Sequence, residues 1–361
     1  MLPAHSSATE STGRPRAIPR LLIVRLSAMG DVLHTLPAVA SLRAVLPETH
    51  LGWVLEERWQ DLVACAYVDA GGIRRPVVDQ VHVVDLQRWR QSLTSRRTWQ
   101  DAVGSIQGLR SAAYDVAVDF QGAVRSSLLA GLSGAASIFG FAEPRENAAS
   151  MFYTTAVVAQ GTHIIQQNLW LASAVANQLL RVPPLEFTCS NINTKFSGNL
   201  TGAYVILNPG AGWEAKQWPP ERYGEVAHRL ASQLRLRCFI NIGPGEEALW
   251  RAAQAASGGA AEPISCSPRE LVNIVRGARL FVAGDTGPMH LAAAMGIPVV
   301  AIFGPTDPAR TGPFGTRSIV LRNPHSRTTL SHESSPDRAM LEISPDDVVS
   351  AAIDLLRETG E

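Results

Sequence analysis

The sequence predicts an α/β protein built from two doubly wound lobes. Three observations carry this. Short apolar runs alternate with helix-length patterns in two series along the 361 residues, small-residue turns follow the runs, and a polar stretch rich in Pro, Ser, Thr and Asn separates the series. A chain of this length suits two domains and can bury real cores. The segments fall as 1–19, a disordered tail; 20–182, the N-terminal lobe; 183–202, the linker; 203–344, the C-terminal lobe; and 345–361, a terminal helix expected to pack back toward the N-terminal lobe.

In the first series, LLIVRL at 21–26 is a buried strand ended by the turn 27–30. A helix follows through Leu36, Val39, Leu42 and Leu46, opening near Thr35 because Pro37 suits a first turn. Further strands are expected at 51–56, 81–85, 116–119 and 137–141, with helices at 93–109, 124–132 and 164–180. In the second series the strands are 204–207, 237–242, 280–283 and 298–303. The helices there are 221–234, 246–256, 268–277 and 290–295, and the last, 345–358, has an apolar face.

Composition narrows the function classes. With 46% hydrophobic and 18% charged residues the chain reads as soluble and globular. Its net charge is zero, so no global field recruits nucleic acid. The four cysteines, Cys65, Cys189, Cys238 and Cys266, lie far apart with no metal-ligand spacing, so neither a zinc site nor a disulfide framework is expected and a reducing cytoplasm is the simpler setting. The first twenty residues hold no apolar stretch and do not read as a signal peptide, and no apolar run is long enough to span a membrane. Of 32 basic residues only Lys195 and Lys216 are lysine, a bias that genome composition explains but that singles out each lysine.

In open α/β sheets ligands bind beyond the carboxyl ends of strands, so the strand-to-helix turns are where chemistry is sought. In SAMGDVLH at 27–34, Asp31 can be a helix cap or a general base aimed into the cleft, and His34 follows three residues later on the same face. In NPGAGWEAKQWP at 208–219, glycines including Gly212 let backbone N–H groups approach an anion, and Lys216 can meet phosphate as a point charge. In GPGEE at 243–247, Glu246 can accept from a ribose or simply favour the helix dipole. GDTGPMH at 284–290 sets Asp285, Thr286 and Gly287 at a helix start with Pro288 in the first turn, an anion site to which His290 can donate. No GxGxxG follows a strand, and the chain has neither a GxxxxGK[ST] loop nor a GxSxG elbow. No Asp-x-Asp pair is present for a metal on a diphosphate, so no metal or other cofactor is expected and protein donors must stabilise a leaving diphosphate.

The stretches LLIVRLSAMGDVLHTLPAVASLR, YDVAVDFQGAVRSSLLAGL, RENAASMFY, YVILNPGAGWEAKQWPPERY and LFVAGDTGPMHLAAAMGIPVVAIFGPTDPARTGPFG resemble the ADP-heptose:lipopolysaccharide heptosyltransferases, the inverting glycosyltransferases of family 9 with the two-lobed GT-B fold, and are closest to the lipopolysaccharide heptosyltransferase I and II types. They run over nearly the whole chain from residue 21. The resemblance implies that Asp31 is the general base, that Lys216 binds phosphate, and that Asp285, Thr286, Gly287 and His290 hold the donor. Gly212 and, less securely, Glu246 belong to the same donor side, while His34, Gln121, Arg145 and Glu146 are acceptor-side candidates and Asp119 with Gly122 completes a D-x-QG turn. Two departures leave the subfamily open: Ala211 and Gly212 stand where some relatives carry hydroxyl residues, and 323–340 lacks the cysteines of others.

The resemblance implies a heptose donor of the ADP-heptose type, an anionic lipid-linked sugar acceptor of the Kdo–lipid A type, and a monomeric, metal-independent cytoplasmic enzyme working at the inner face of the cytoplasmic membrane. Residues 72–110 suit such an acceptor, with seven arginines (Arg74, Arg75, Arg88, Arg90, Arg96, Arg97, Arg110) against Asp79, Asp85 and Asp101, and with Trp89 and Trp99 nearby to enter an interface. A solvated charged face explains the same pattern. Two rival functions are an epimerase or hydrolase of the sugar nucleotide with this fold, and a non-catalytic sugar-nucleotide-binding protein.

Overall fold

The computed structural model describes residues 18–92, 94–189, 200, 202–329 and 335–357. The 1–19 tail, apart from Ile18 and Pro19, and Lys195 lie outside the described residues.

The first lobe runs β1 (Arg20–Val24), α1 (Met29–Val45), β2 (His50–Glu56), α2 (Gln60–Ala64), β3 (Ala66–Asp69), β4 (Arg74–Pro76), β5 (Gln80–Val84), α3 (Leu86–Gln91), α4 (Arg96–Ser111), β6 (Val116–Asp119), α5 (Val124–Leu132), β7 (Ser137–Phe141), β8 (Thr155–Val157), α6 (Ile164–Ala176) and β9 (Leu185–Phe187). Six strands form a parallel sheet in the order β5-β2-β1-β6-β7-β8, with Ile23 opposite Trp53 on one side and Val118 on the other. β4, β3 and β9 make a small antiparallel sheet.

The second lobe runs β10 (Tyr204–Asn208), α7 (Pro220–Leu234), β11 (Arg237–Asn241), α8 (Glu247–Ala256), β12 (Ala261–Ile264), α9 (Pro268–Arg276), β13 (Leu280–Gly284), α10 (Gly287–Ala294), β14 (Val299–Phe303), α11 (Pro308–Thr311), β15 (Ser318–Arg322) and α12 (Pro345–Arg357). Its sheet is also parallel and six-stranded, ordered β12-β11-β10-β13-β14-β15. Strand order reverses between β1 and β6 in the first sheet and between β10 and β13 in the second. At such a switch point the crossovers leave to opposite faces and a crevice opens beyond the strand ends, so each lobe offers one ligand crevice.

The two cores meet through α1, which packs against α6 and against α10 of the other lobe. Thirteen of its 17 residues are buried, so it lacks the polar stripe of a surface helix. It starts at Met29, earlier than the sequence suggested. Ala28 is extended and donates its N–H to the Asp31 carboxylate at 3.3 Å, while the Thr35 hydroxyl bonds back to the Asp31 carbonyl instead of capping. Pro37 therefore lies inside the helix.

Three further expectations are corrected. The terminal helix α12 packs on its own lobe, not back toward the first: Val348, Ala352 and Leu355 share a buried cluster with Val226, Val282 and Val300. The segment 183–202 is not wholly a linker, because β9 within it adds to β3. That pairing sets Cys189 beside Cys65, and the two are joined in a disulfide across 124 residues of sequence; Cys238 and Cys266 are free. Among the described residues no helix is long and apolar enough to cross a membrane.

Candidate active site

The turn after β13 carries the densest polar cluster. Thr286 is extended and takes the N-cap position of α10 without a side-chain capping bond, and Pro288 occupies the first turn, where its missing N–H costs nothing. Asp285 is buried and uses both oxygens: Oδ2 lies 2.6 Å from Lys216 Nζ, and Oδ1 lies 3.1 Å from His290 Nε2. Burial pushes its carboxyl up, but the hydrogen bond from His290, together with the Lys216 ammonium, outweighs burial and holds it well below the ordinary carboxylate range. Lys216 arrives from the turn Glu214–Lys216 beyond β10, its ammonium 4.0 Å from the centre of the Trp213 ring. The Thr286 hydroxyl is buried with no hydrogen-bond partner among the described residues, beside the open N–H groups of a helix start. A cation, an unpaired hydroxyl and a helix N-terminus at one switch point can receive a diphosphate.

The facing start of α1, just beyond β1, holds Asp31. Its Oδ1 meets Arg25 Nη2 at 2.8 Å, and its side chain is 37% exposed, so the carboxylate is fixed yet open. Arg25 is buried and also donates to the Phe120 carbonyl. Gln121, on the turn after β6, accepts the Leu26 N–H at 2.8 Å and is buried. That turn is held by Asp119, whose carboxylate accepts from Gln121 N, Gly122 N, Ser126 Oγ and Tyr153 Oη. Burial raises the Asp119 carboxyl against the pull of those four donors.

The two turns touch. A Cβ at Gly30 would lie 2.8 Å from His290 Cδ2, and one at Gly287 would lie 2.7 Å from Met29 Cβ, so both glycines are needed for the approach. His34 Nε2 is 3.1 Å from His290 Nδ1. His34, an acceptor-side candidate from the sequence, is therefore buried in the lobe seam, where α10 covers the face of α1 that carries it.

The remaining candidates spread further. A Cβ at Gly212 would meet nothing within 4 Å. The Glu246 carboxylate accepts the Gly243 N–H at 2.7 Å and fills the space beside Gly210, so it links the turns after β10 and β11. Arg145 and Glu146 are exposed; Glu146 accepts the Val124 N–H at 2.8 Å, and its own N–H bonds to the Gly122 carbonyl, fastening this loop to the Gln121 turn. Three arginines of the 72–110 stretch are engaged locally: Arg74 with Glu186, Arg75 with Glu48 and Arg88 with Asp101. Trp89 is partly buried, whereas Arg96, Arg97, Arg110 and Trp99 lie on the exposed side of α4. Among the described residues no group of three or more His, Cys, Asp or Glu side chains is placed to hold a metal ion.

Sequence reasoning passed over Arg25 and Trp213. Arg25 had a signal, as the single charge within the buried run LLIVRL. A buried charge calls for a partner, and Asp31 lies six residues on.

The profile of glycosyltransferase family 9 (heptosyltransferase) matches residues 104–339. The chain is 30% identical over 307 residues to lipopolysaccharide heptosyltransferase 1 of Pseudomonas aeruginosa, covering 84% of this chain and 83% of that one. It is 30% identical over 314 residues to the enzyme of the same name from Escherichia coli K12, covering 84% and 94%. Among solved structures it resembles E. coli heptosyltransferase WaaC with ADP-2-deoxy-2-fluoro heptose, at a TM-score of 0.72 and 25% identity over 93% of this chain and 99% of that one. The fold is shared with E. coli ADP-heptose lps heptosyltransferase II, at a TM-score of 0.72 and 18% identity over 95% and 99%.

Proposed function

The chain belongs to glycosyltransferase family 9, the heptosyltransferases, and has their GT-B fold; from that premise we propose that it moves a heptose from ADP-heptose to the inner core of lipopolysaccharide, on an acceptor of the Kdo–lipid A type, with inversion at the anomeric carbon. The observation that carries this reading is the opposition of two charged pairs at the facing switch points, Lys216–Asp285 on one lobe and Arg25–Asp31 on the other. A relative bound to an ADP-heptose analogue supports the donor class.

In the proposed reaction an acceptor hydroxyl attacks the anomeric carbon and its proton passes to Asp31. The bond from that carbon to the diphosphate oxygen breaks on the opposite face, and ADP leaves. Arg25 holds the Asp31 carboxylate in place for this. Lys216, the Thr286 hydroxyl and the N–H groups at the start of α10 offset the charge that grows on the diphosphate, with no metal taking part. The exposed face of α4, with Arg96, Arg97, Trp99, Val103 and Arg110, suits an anionic lipid surface and leads us to propose work at the inner face of the cytoplasmic membrane.

The test is incubation of the full chain with ADP-heptose and a Kdo–lipid A acceptor, reading ADP release, the mass of the acceptor and the anomeric configuration by NMR. A mass gain of one heptose with inverted configuration is expected. ADP-heptose consumed equally fast without acceptor would favour the epimerase or hydrolase, and donor binding without turnover would favour the binding protein.

A further inference from the structure

His34, His290 and Asp285 form a hydrogen-bonded row that crosses from one lobe to the other. His34 Nε2 is 3.1 Å from His290 Nδ1, and His290 Nε2 is 3.1 Å from Asp285 Oδ1. All three side chains are buried. His34 is set by its backbone, since Asn168 Nδ2 donates to its carbonyl at 3.0 Å, and the absent side chain of Gly30 lets the His290 ring lie against α1.

The proton positions follow from chemistry. An ionised Asp285 only accepts, so His290 Nε2 carries hydrogen. The groups facing His34 are His290, His163, Asp285 and Arg25; burial first, then His290 and His163, push its ring well below the ordinary histidine value, and it is neutral. One proton is then shared between its two nitrogens. His34 Nδ1 is buried with no hydrogen-bond partner among the described residues. A proton there would be a stranded donor, so it sits on Nε2 and points at His290 Nδ1.

We propose that His34 is a positioning residue for the donor site: from the opposite lobe it donates to His290 Nδ1, fixes His290 in the tautomer that donates to Asp285, and so aims the carboxylate that holds Lys216. This rests on the reading of 284–290 as the donor turn. It also makes donor affinity depend on contact between the lobes, because α1 supplies the donor and α10 the acceptor of the bond.

The experiment is calorimetric titration of the full chain with ADP-heptose. His34→Leu is expected to bind about tenfold more weakly, and His34→Gln, whose amide can donate from nearly the same place, within about twofold of wild type. Equal affinity of His34→Leu and wild type overturns the proposal, and so does an equal loss in both variants. Asp285→Asn separates the two levels of inference. If it binds donor normally, the donor-turn reading itself fails; if it binds weakly while His34→Leu is unaffected, only the role of His34 falls. Should His34→Leu not fold, nitrogen-15 NMR of the wild-type protein decides, with hydrogen expected on His290 Nε2 alone. Hydrogen found on His290 Nδ1 overturns the proposal.

Discussion

Lys216 Nζ lies 2.6 Å from Asp285 Oδ2 in an ion pair almost wholly withdrawn from solvent, its side chains 12% and 7% exposed. The carboxylate places the ammonium and His290 holds the carboxylate from its other oxygen. Lys216→Ala should therefore weaken ADP binding about 10- to 100-fold, the loss expected of a charge-assisted contact. Lys216→Arg should not restore it, because a planar guanidinium does not fit the slot that a point charge occupies beside Trp213. Calorimetry with ADP reads both variants, and wild-type affinity in Lys216→Ala would remove the lysine from the donor site.

Asp31 and Arg25 make the opposite prediction. Asp31→Ala should lower turnover by about 10²–10⁴ while donor affinity changes little, since a general base acts on the acceptor proton. Arg25→Leu, which leaves Asp31 held only by the Ala28 N–H and removes the donor to the Phe120 carbonyl, should follow it in direction with a smaller loss. Steady-state rates paired with ADP titration separate the two effects. Turnover near wild type in Asp31→Ala would end its assignment as base.

Much of this arrangement was legible because it is local. Alternating apolar runs marked nine of the twelve strands of the two parallel sheets, passing over β8, β12 and β15, and glycine turns after strands marked both switch points. What was missed is long-range. The start of α1 was misplaced because a helix buried on nearly every side has no amphipathic phase to read. The burial of His34 was not legible, because nothing in MGDVLH shows that α10, some 256 residues away in sequence, covers it. Cys65 and Cys189 gave no spacing signal, since their approach depends on the pairing of β3 with β9.

That disulfide is itself a prediction. It closes 124 residues and ties β9 to the end of α2, next to the seam where Arg276 donates to the Phe187 carbonyl and Arg269 faces Asp61. Loop closure of that length is worth up to ~5 kcal/mol in chain entropy. A non-reducing peptide map should recover Cys65 bound to Cys189, with Cys238 and Cys266 free. Reduction or Cys65→Ser should lower the melting temperature. A map with all four thiols free, from protein kept under oxidising conditions, would contradict the bond.

The seam also sets the response to acid. Burial first, with His290 and His163 added, lowers His34; burial first, with His290 added and the Gly312 carbonyl opposing, lowers His163. Each takes up its proton more readily in the unfolded chain, whose histidines titrate near 6.5. The unfolded state then binds more protons as pH falls, so the stabilising contribution is complete above pH 6.5 and is lost toward the folded values. Asp285 is depressed too, but from a carboxylate value of 3.8, so its contribution stays constant over this window. Each histidine can steepen the acid limb by up to ~1.4 kcal/mol per pH unit. Urea unfolding at pH 7, 6 and 5 should show falling stability, and His34→Gln should flatten the fall because the amide does not titrate. An unchanged slope in that variant would mean that His34 is not held neutral in the seam.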